Sequence, residues 1–553
     1  MTGVNSATRM TGGEAVVRAL VDHGVDTIFA LPGIQNDWLF NALYDARDRI
    51  RVIHTRHEQG AAYLALGYAL ARGDVGVYNV VPGPGLLNTT AALATAYGLN
   101  ARVFCLTGQI PSHAIGKGAG VLHEIPDQFG ILRSLTKWAA RVESPADAGR
   151  LVAEAFRQMR SGRPRPVGLE VPMDVLAQVA AVGPSVPPAV PDHPPVDLDM
   201  IERAATLLGR SVRPLIHVGS GAQGASAEIR ALAEALGAPV VGYRTGRGVL
   251  DSRHPLSLTL IPAHELWKTA DVVLGIGTHL RIPVQDWGTD DDLKVIRIDV
   301  DPTSHARIRR PDVAVTARAE DALPVLLDRL GEHNRTRPSR RDELAALRAD
   351  WDRRVGDLEP QMSHLRVIRE ELGEHGIFVD ELTAVGWTAR IAMPVYHPRT
   401  FICSGQQGTL GYGFATALGV KVARPNVPVV SVTGDGGFMF NVQELATAVQ
   451  HRIGLVTLVF NNNRFGNVQH MQKHVYGNRV IASDLHNPDF VRMAEAFGAQ
   501  AFRANTPDEL RDAMQRGFVT DLPTVIDIPI GEMISVDRFR GLPRVRPPQR
   551  EGE

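Results

Sequence analysis

Short apolar or β-branched runs recur along the chain, bounded by Gly, Asn, Pro or Thr, and longer stretches of helical spacing separate them. Such runs read as buried strands and the stretches between them as helices. The first group predicts strand Thr27 to Leu31, helix Asn36 to Ala46, strand Arg51 to Thr55, helix Gln59 to Ala71, strand Val75 to Val81, helix Leu86 to Tyr97 and strand Val103 to Thr107. A later strand, Leu169 to Val175, closes that unit. A second group opens with strand Pro214 to Val218, helix Ser226 to Leu236 and strand Pro239 to Tyr243, and a third holds the runs Val429 to Val432 and Leu455 to Phe460. Regular alternation of this kind predicts an α/β fold of three doubly wound parallel-sheet domains, with ligands gathered at the strand C-termini.

Proline and charge mark the joints. Val182 to Val196 is Pro-rich and reads as a semi-rigid linker, while Arg340-Arg341-Asp342-Glu343-Leu344 lies in a charged helical connector. The expected plan is a domain at 1–181, the linker at 182–196, a central domain at 197–340, a connector at 341–365, a third domain at 366–535 and a tail at 536–553. The tail is rich in Arg and Pro, so disorder and a position over the active site are both open.

Composition narrows the function. A net charge of −1 gives no global field for nucleic acid or a membrane surface. Cys105 and Cys403 lack any metal-ligand spacing, and two cysteines make no disulfide framework. Met1 to Gly12 has no apolar core of signal length and no long apolar span occurs, so a cytoplasmic location is expected.

The chemistry concentrates between Val429 and Val468. The strand Val429 to Val432 leads into Gly434-Asp435-Gly436-Gly437, and a second strand leads into Asn461-Asn462-Asn463. Asn441 with Glu444 three residues on reads as a capping box for the intervening helix. A right-handed crossover makes the two strands parallel, so Asp435 and Asn462 can address one point. A carboxylate and an amide oxygen suit a hard dication such as Mg²⁺, and the glycines admit a large anion.

Gly-Asp-Gly followed by a second Asn 27 residues after the Asp resembles the diphosphate-binding motif of thiamine diphosphate (ThDP) enzymes. The resemblance implies that Asp435, Asn462 and the Arg464 carbonyl hold Mg²⁺ and that Gly434, Gly436 and Gly437 border the diphosphate. Thr55-Arg56-His57-Glu58 resembles the family's Arg-His-Glu segment, in which the Glu bonds the aminopyrimidine and promotes deprotonation of the thiazolium. Glu58 is thereby the expected catalytic residue. Pro82 and Gly83 are expected to approach the pyrimidine, and Leu410, 25 positions before Asp435, to be the wedge that bends the cofactor. Thr383 and Gln406 complete the cofactor contacts.

The three-domain layout is most similar to acetolactate synthase, with departures on the substrate side. Leu122 and His123 stand where that synthase has Phe and Gln, and Asn467 and Met471 fall in its Met-Val and Trp segment. Ile34, Gln35, Leu122, His123, Asn467 and Met471 are the expected substrate pocket, with His123 able to move a proton near neutral pH. The resemblance implies decarboxylation of a 2-oxo acid, with the acyl unit passed to a proton or to an aldehyde or second oxo acid, in a homodimer or tetramer whose sites lie between chains. A simple decarboxylase, such as the benzoylformate or phenylpyruvate type, is the alternative. Two readings of other classes remain, a non-catalytic regulatory member and a nucleotide-dependent oxidoreductase. Gly219-Ser220-Gly221-Ala222-Gln223-Gly224 fits a dinucleotide fingerprint, but Arg244-Thr245-Gly246-Arg247 offers no acid for a ribose. FAD or ADP in the central domain has no support in the residues.

Overall fold

The apolar runs of the N-terminal third form a parallel sheet from Thr27–Ala30, Arg51–His54, Gly76–Val80, Val103–Gln109, Trp138–Arg141 and Val167–Pro172. In the computed structural model, which describes residues 7–546, these strands lie in the spatial order 2-1-3-4-6-5, counted along the chain. The C-terminal sheet, from Ile377–Val379, Phe401–Ile402, Val429–Gly434, Val456–Asn461, Gln500–Arg503 and Thr524–Pro529, has the same order. Between them a third sheet, Pro214–Val218, Val240–Gly242, Ser257–Thr259, Val272–Ile276, Lys294–Asp299 and Val313–Thr316, runs 3-2-1-4-5-6. All three are doubly wound and parallel. In each, the winding direction reverses beside the first strand, which opens a crevice at the strand C-termini.

The first and third units are joined by two buried helices. Glu58–Arg72 begins at His57, whose ring accepts the Gln59 N–H, and ends at Gly73 with φ +70°. Tyr412–Ala423 is buried nearly throughout, as a helix apolar on all sides must be. They cross with backbones almost touching. A Cβ on Gly67 would lie 1.9 Å from the Thr416 carbonyl oxygen, and one on Gly419 would lie 1.9 Å from that of Leu64. Around the crossing, Tyr63, Leu64, Leu66, Phe414, Leu418 and Val420 belong to one apolar core shared by the two sheets.

Several local expectations are corrected. The helix expected over Leu86 to Tyr97 is two helices, Pro84–Asn88 and Thr90–Leu99, because the Thr89 side chain bonds back to the Leu86 carbonyl. The Asn441 and Glu444 capping box does not form. The Asn441 amide donates to the Gly411 carbonyl (2.6 Å), and the Glu444 carboxylate accepts the Arg56 and His57 N–H groups at 3.1 and 3.0 Å. Tertiary partners outcompete the local cap in both cases.

In the central unit the fingerprint glycines are accounted for by close packing. A Cβ on Gly219 or Gly221 would meet the Gly277 backbone at 2.3 or 2.8 Å, and one on Gly224 would meet Glu320 at 2.0 Å. Arg247, beyond the second strand, is buried and donates to the Ala389, Arg390 and Met393 carbonyls at the end of helix Ala384–Ala392. A cation there satisfies the helix's free carbonyls and complements its dipole. Helix Arg341–Gly356 lies in the expected connector, whereas Gln361–Leu372 crosses its expected end at 365 and packs in the core of the C-terminal sheet. The tail, as far as residue 546, packs against the central unit. Arg546 donates to the Trp267 and Ala270 carbonyls and to Asp290. Cys105 and Cys403 are free and buried. Among the described residues no helix is long and apolar enough to cross a membrane; residues 1–6, part of the segment read for a signal, lie outside them.

Gly419→Ala is expected to cost about 1–3 kcal/mol or more, since the added methyl meets backbone and not a movable side chain. Gly331→Ala, in helix Ala319–His333 with open space at its Cβ, is expected to gain about 0.5–1 kcal/mol. Urea-denaturation midpoints of the two variants check both signs.

Candidate active site

The crevice of the C-terminal sheet holds most of the residues expected at a cofactor's diphosphate. Val430 pairs with Val456 and Gly434 with Phe460 in parallel register, so Asp435 and Asn462 each follow a strand end on neighbouring strands. Asp435 opens the four-residue helical turn Asp435–Phe438 and is 2% exposed. Thr383, Leu410, Gly434, Asp435, Gly436, Gly437, Asn462, Arg464 and Asn467 line one cavity of about 280 Å³. Gly436 has no room for a side chain, because a Cβ there would lie 2.5 Å from the Phe465 ring.

The electrostatics of this cavity suit a dication. Burial holds the Asp435 pKa above the ordinary carboxylate value, opposed by the Asn487 amide, which donates to Oδ2 at 2.7 Å. No Lys or Arg ion-pairs with Asp435 among the described residues, and the Asn462 side chain makes no hydrogen bond among them. A buried anion without a cation is costly. Asp435, the Asn462 amide oxygen and the Arg464 carbonyl are hard oxygen donors, so the residues present fit Mg²⁺ with a bound diphosphate.

Other residues border this cavity besides those expected to line it. Asn487 also reaches Asn461 Oδ1 and Asn463 Oδ1, both at 3.2 Å. It belongs to a segment laid beside 463–465 through Phe465 N–H to Ser483 O and Leu485 N–H to Asn463 O, both 2.8 Å. The only sequence signal is its Asn-Pro pair. Glu381 lies fully buried on the cavity floor, where its carboxylate accepts from Gly411 N–H and Thr433 Oγ. Burial pushes it up to about 7. His470 and Lys473 on helix Gly466–His474, with Glu532, border the cavity mouth. Of the residues expected here, Gln406 lines a different cleft with Arg390 and Trp387, and Met471 does not line the cavity.

A second cluster occupies the equivalent crevice of the N-terminal sheet. Ile34 and Gln35 follow its first strand, Glu58 its second, Pro82 and Gly83 its third, and Leu122 and His123 lie in the loop after its fourth. Glu58 Oε2 accepts from Asn88 Nδ2 at 3.0 Å. Gly83 has φ +60°, and its missing Cβ leaves room for the His123 carbonyl 2.3 Å away; its N–H donates to Gln128 Oε1 at 2.8 Å. Gln35 Nε2 donates to the Leu122 carbonyl at 3.0 Å, which leaves Oε1 to accept from His123 Nδ1 at 2.9 Å. Nδ1 is therefore the donor, and in the neutral ring Nε2 holds the lone pair. None of these seven residues lines the cavity at Asp435. Within one chain the expected site is present as two separate halves.

Three family models match the chain. The N-terminal TPP binding domain of thiamine pyrophosphate enzymes matches residues 10–131, their central domain 201–326 and their C-terminal TPP binding domain 383–528. The chain is 34% identical to a probable acetolactate synthase large subunit of Methanocaldococcus jannaschii, over 97% of this chain and 94% of that one. It is 33% identical to an acetolactate synthase of Arthrospira platensis and 32% identical to a probable 2-ketoarginine decarboxylase of Pseudomonas aeruginosa, each over 94% of both chains. The chain belongs to the ThDP enzyme family, in its acetolactate synthase-like group.

Glu381 carries a pH dependence. Its pKa rises from 4.5 unfolded to about 7 folded, so its contribution is full below pH 4.5 and is lost as pH rises through about 7. At about 1.4 kcal/mol per pKa unit this is on the order of 3 kcal/mol. The cofactor-free protein is expected to lose stability between pH 5 and 8 more steeply than Glu381→Gln. Parallel urea curves for the two proteins across that range would refute the assignment.

Proposed function

We propose that the protein uses ThDP and Mg²⁺ to decarboxylate a 2-oxo acid and transfer the acyl unit to a second carbonyl, as a carboligase of acetolactate synthase type. The observation that carries this reading is the buried Asp435, without a cation among the described residues, beside the Asn462 amide, without a hydrogen-bond partner among them, at the crevice where the sheet's winding reverses. ThDP supplies the electron sink for loss of CO₂. The chain's residues supply the rest. Asp435, Asn462 and the Arg464 carbonyl would hold the metal, Leu410 would pack against the cofactor, and Glu58 would hydrogen-bond its aminopyrimidine and hold or move a proton there. His123 Nε2, the free end of a ring oriented by Gln35, accepts or returns a proton on the substrate side.

A homodimer unites the two halves, so that Glu58 of one protomer serves the metal set of its partner. Exposed apolar side chains adjoin each half and support this. Ile34 (56% exposed) and Leu122 (58%) flank the first, while Phe440 (50%) and Val468 (51%) flank the second. Simple decarboxylation is the second reading, favoured by the relative named a probable 2-ketoarginine decarboxylase and by the polar cavity mouth at Asn467, His470 and Glu532.

Loaded with ThDP and Mg²⁺ and offered a panel of 2-oxo acids with and without aldehydes, the protein is expected to release CO₂ and form a hydroxy ketone. CO₂ with free aldehyde alone would establish the decarboxylase. Glu58→Gln is expected to lower kcat by about 100-fold or more while ThDP still binds, and Asp435→Ala to abolish binding. Mixing the two inactive variants should restore activity, because one site of the hybrid dimer is intact. Full activity of Glu58→Gln would sink the proton-transfer role.

A further inference from the structure

Helix Gly466–His474 places His470 and His474 one turn apart on the same face, with ring centroids 4.4 Å apart. Glu532 approaches them from the segment that leaves strand Thr524–Pro529. One ligand atom from each of the three residues lies within 4.8 Å of the others. Neither imidazole makes a hydrogen bond among the described residues, and Asp537, itself ion-paired with Arg540 at 3.0 Å, lies 3.6 Å from His470 Nε2.

We propose that His470, His474 and Glu532 form a second metal site, distinct from the Asp435 set, for a borderline dication such as Zn²⁺. Two imidazoles and one carboxylate are a three-ligand set with a fourth position open to water, and imidazole donors select Zn²⁺ over Mg²⁺. Ligand atoms around tetrahedral Zn²⁺ stand about 3.4 Å apart, given bond lengths near 2.1 Å. The three side chains are half-buried or exposed, so rotation about their own torsions closes the difference. Asp537, 3.6 Å from His470 Nε2, is positioned to orient that ring.

The site spans two walls of the cavity. His470 and Lys473 belong to the helical wall, and Glu532, Ser535 and Val536 to the strand-exit wall. Bound Zn²⁺ fastens one to the other at the mouth, which the Mg²⁺ set deeper inside does not do. The all-oxygen ligands around Asp435 and the nitrogen-rich ligands at the mouth prefer different ions, so both are filled together.

The test uses the full-length protein with ThDP and Mg²⁺, freed of transition metals, and titrated with Zn²⁺ against a chromophoric chelator. One Zn²⁺ per chain at micromolar or tighter affinity is expected, and Co²⁺ in its place should show the intense visible bands of tetrahedral coordination. His474→Ala, on the exposed last turn, and Glu532→Gln should each weaken binding by about tenfold or more. Asp435→Ala should retain it, with circular dichroism confirming that each variant is folded. Absence of stoichiometric Zn²⁺, equal affinity in His474→Ala and Glu532→Gln, or loss of Zn²⁺ in Asp435→Ala would each overturn the proposal. These readouts are independent of turnover and of substrate.

Discussion

The crossing of helices Glu58–Arg72 and Tyr412–Ala423 fixes the relation on which both halves of the site depend. With carbonyl oxygens seated where two glycine side chains would be, the helices cannot slide without a backbone clash. Glu444 adds a polar tie at the same interface, since its buried carboxylate takes the N–H groups of Arg56 and His57 just ahead of Glu58. The orientation of Glu58, proposed as the proton-shifting residue, thus depends on a residue of the distant C-terminal unit. Gly60 keeps the approach open, for a Cβ there would lie 2.4 Å from Glu444 Oε1.

The C-terminal crevice is shaped by anions placed where burial disfavours them. Asp435 lies in the Gly434–Gly437 turn and Glu381 packs against Gly437, and burial raises the pKa of both. Their partners differ in kind. Glu381 is surrounded by a loop N–H and a hydroxyl, which a protonated carboxyl also accommodates, so it suits a structural role near neutrality. Asp435 has an amide and backbone donors and faces open space, so it remains short of positive charge until a cation arrives. Two carboxyls that meet at one turn are thereby set to different tasks.

The features legible in the sequence were those carried by local chain pattern. Strand Pro214–Val218 and helix Ser226–Leu236 have the limits their residues predict, and Asp435 and Asn462 lie on adjacent strand ends as a crossover of that length requires. Features set by long-range partners were not legible. Asn441 and Glu444 have the spacing of a cap, yet each finds a stronger partner far along the chain. Asn487 is a loop residue until the segment around it lies beside 463–465. Arg247 stands where a nucleotide fold would place a ribose-binding acid, and only the assembled domains show that it caps a helix of another unit. Gln406 and Met471 fall in the expected segments, but the backbone directs them away from the cavity.

The glycine crossing also bears on how such a scaffold diversifies. A tight contact between side chains can be relieved by trimming one of them, so paired changes let it drift. At Gly67 and Gly419 the opposing atoms are main-chain carbonyls, which no substitution shortens. That joint is closed to gradual change, whereas a substitution at Asn467, on the cavity lining, would not touch it. New substrates can thus be acquired at the rim while the frame that holds the cofactor is inherited unaltered.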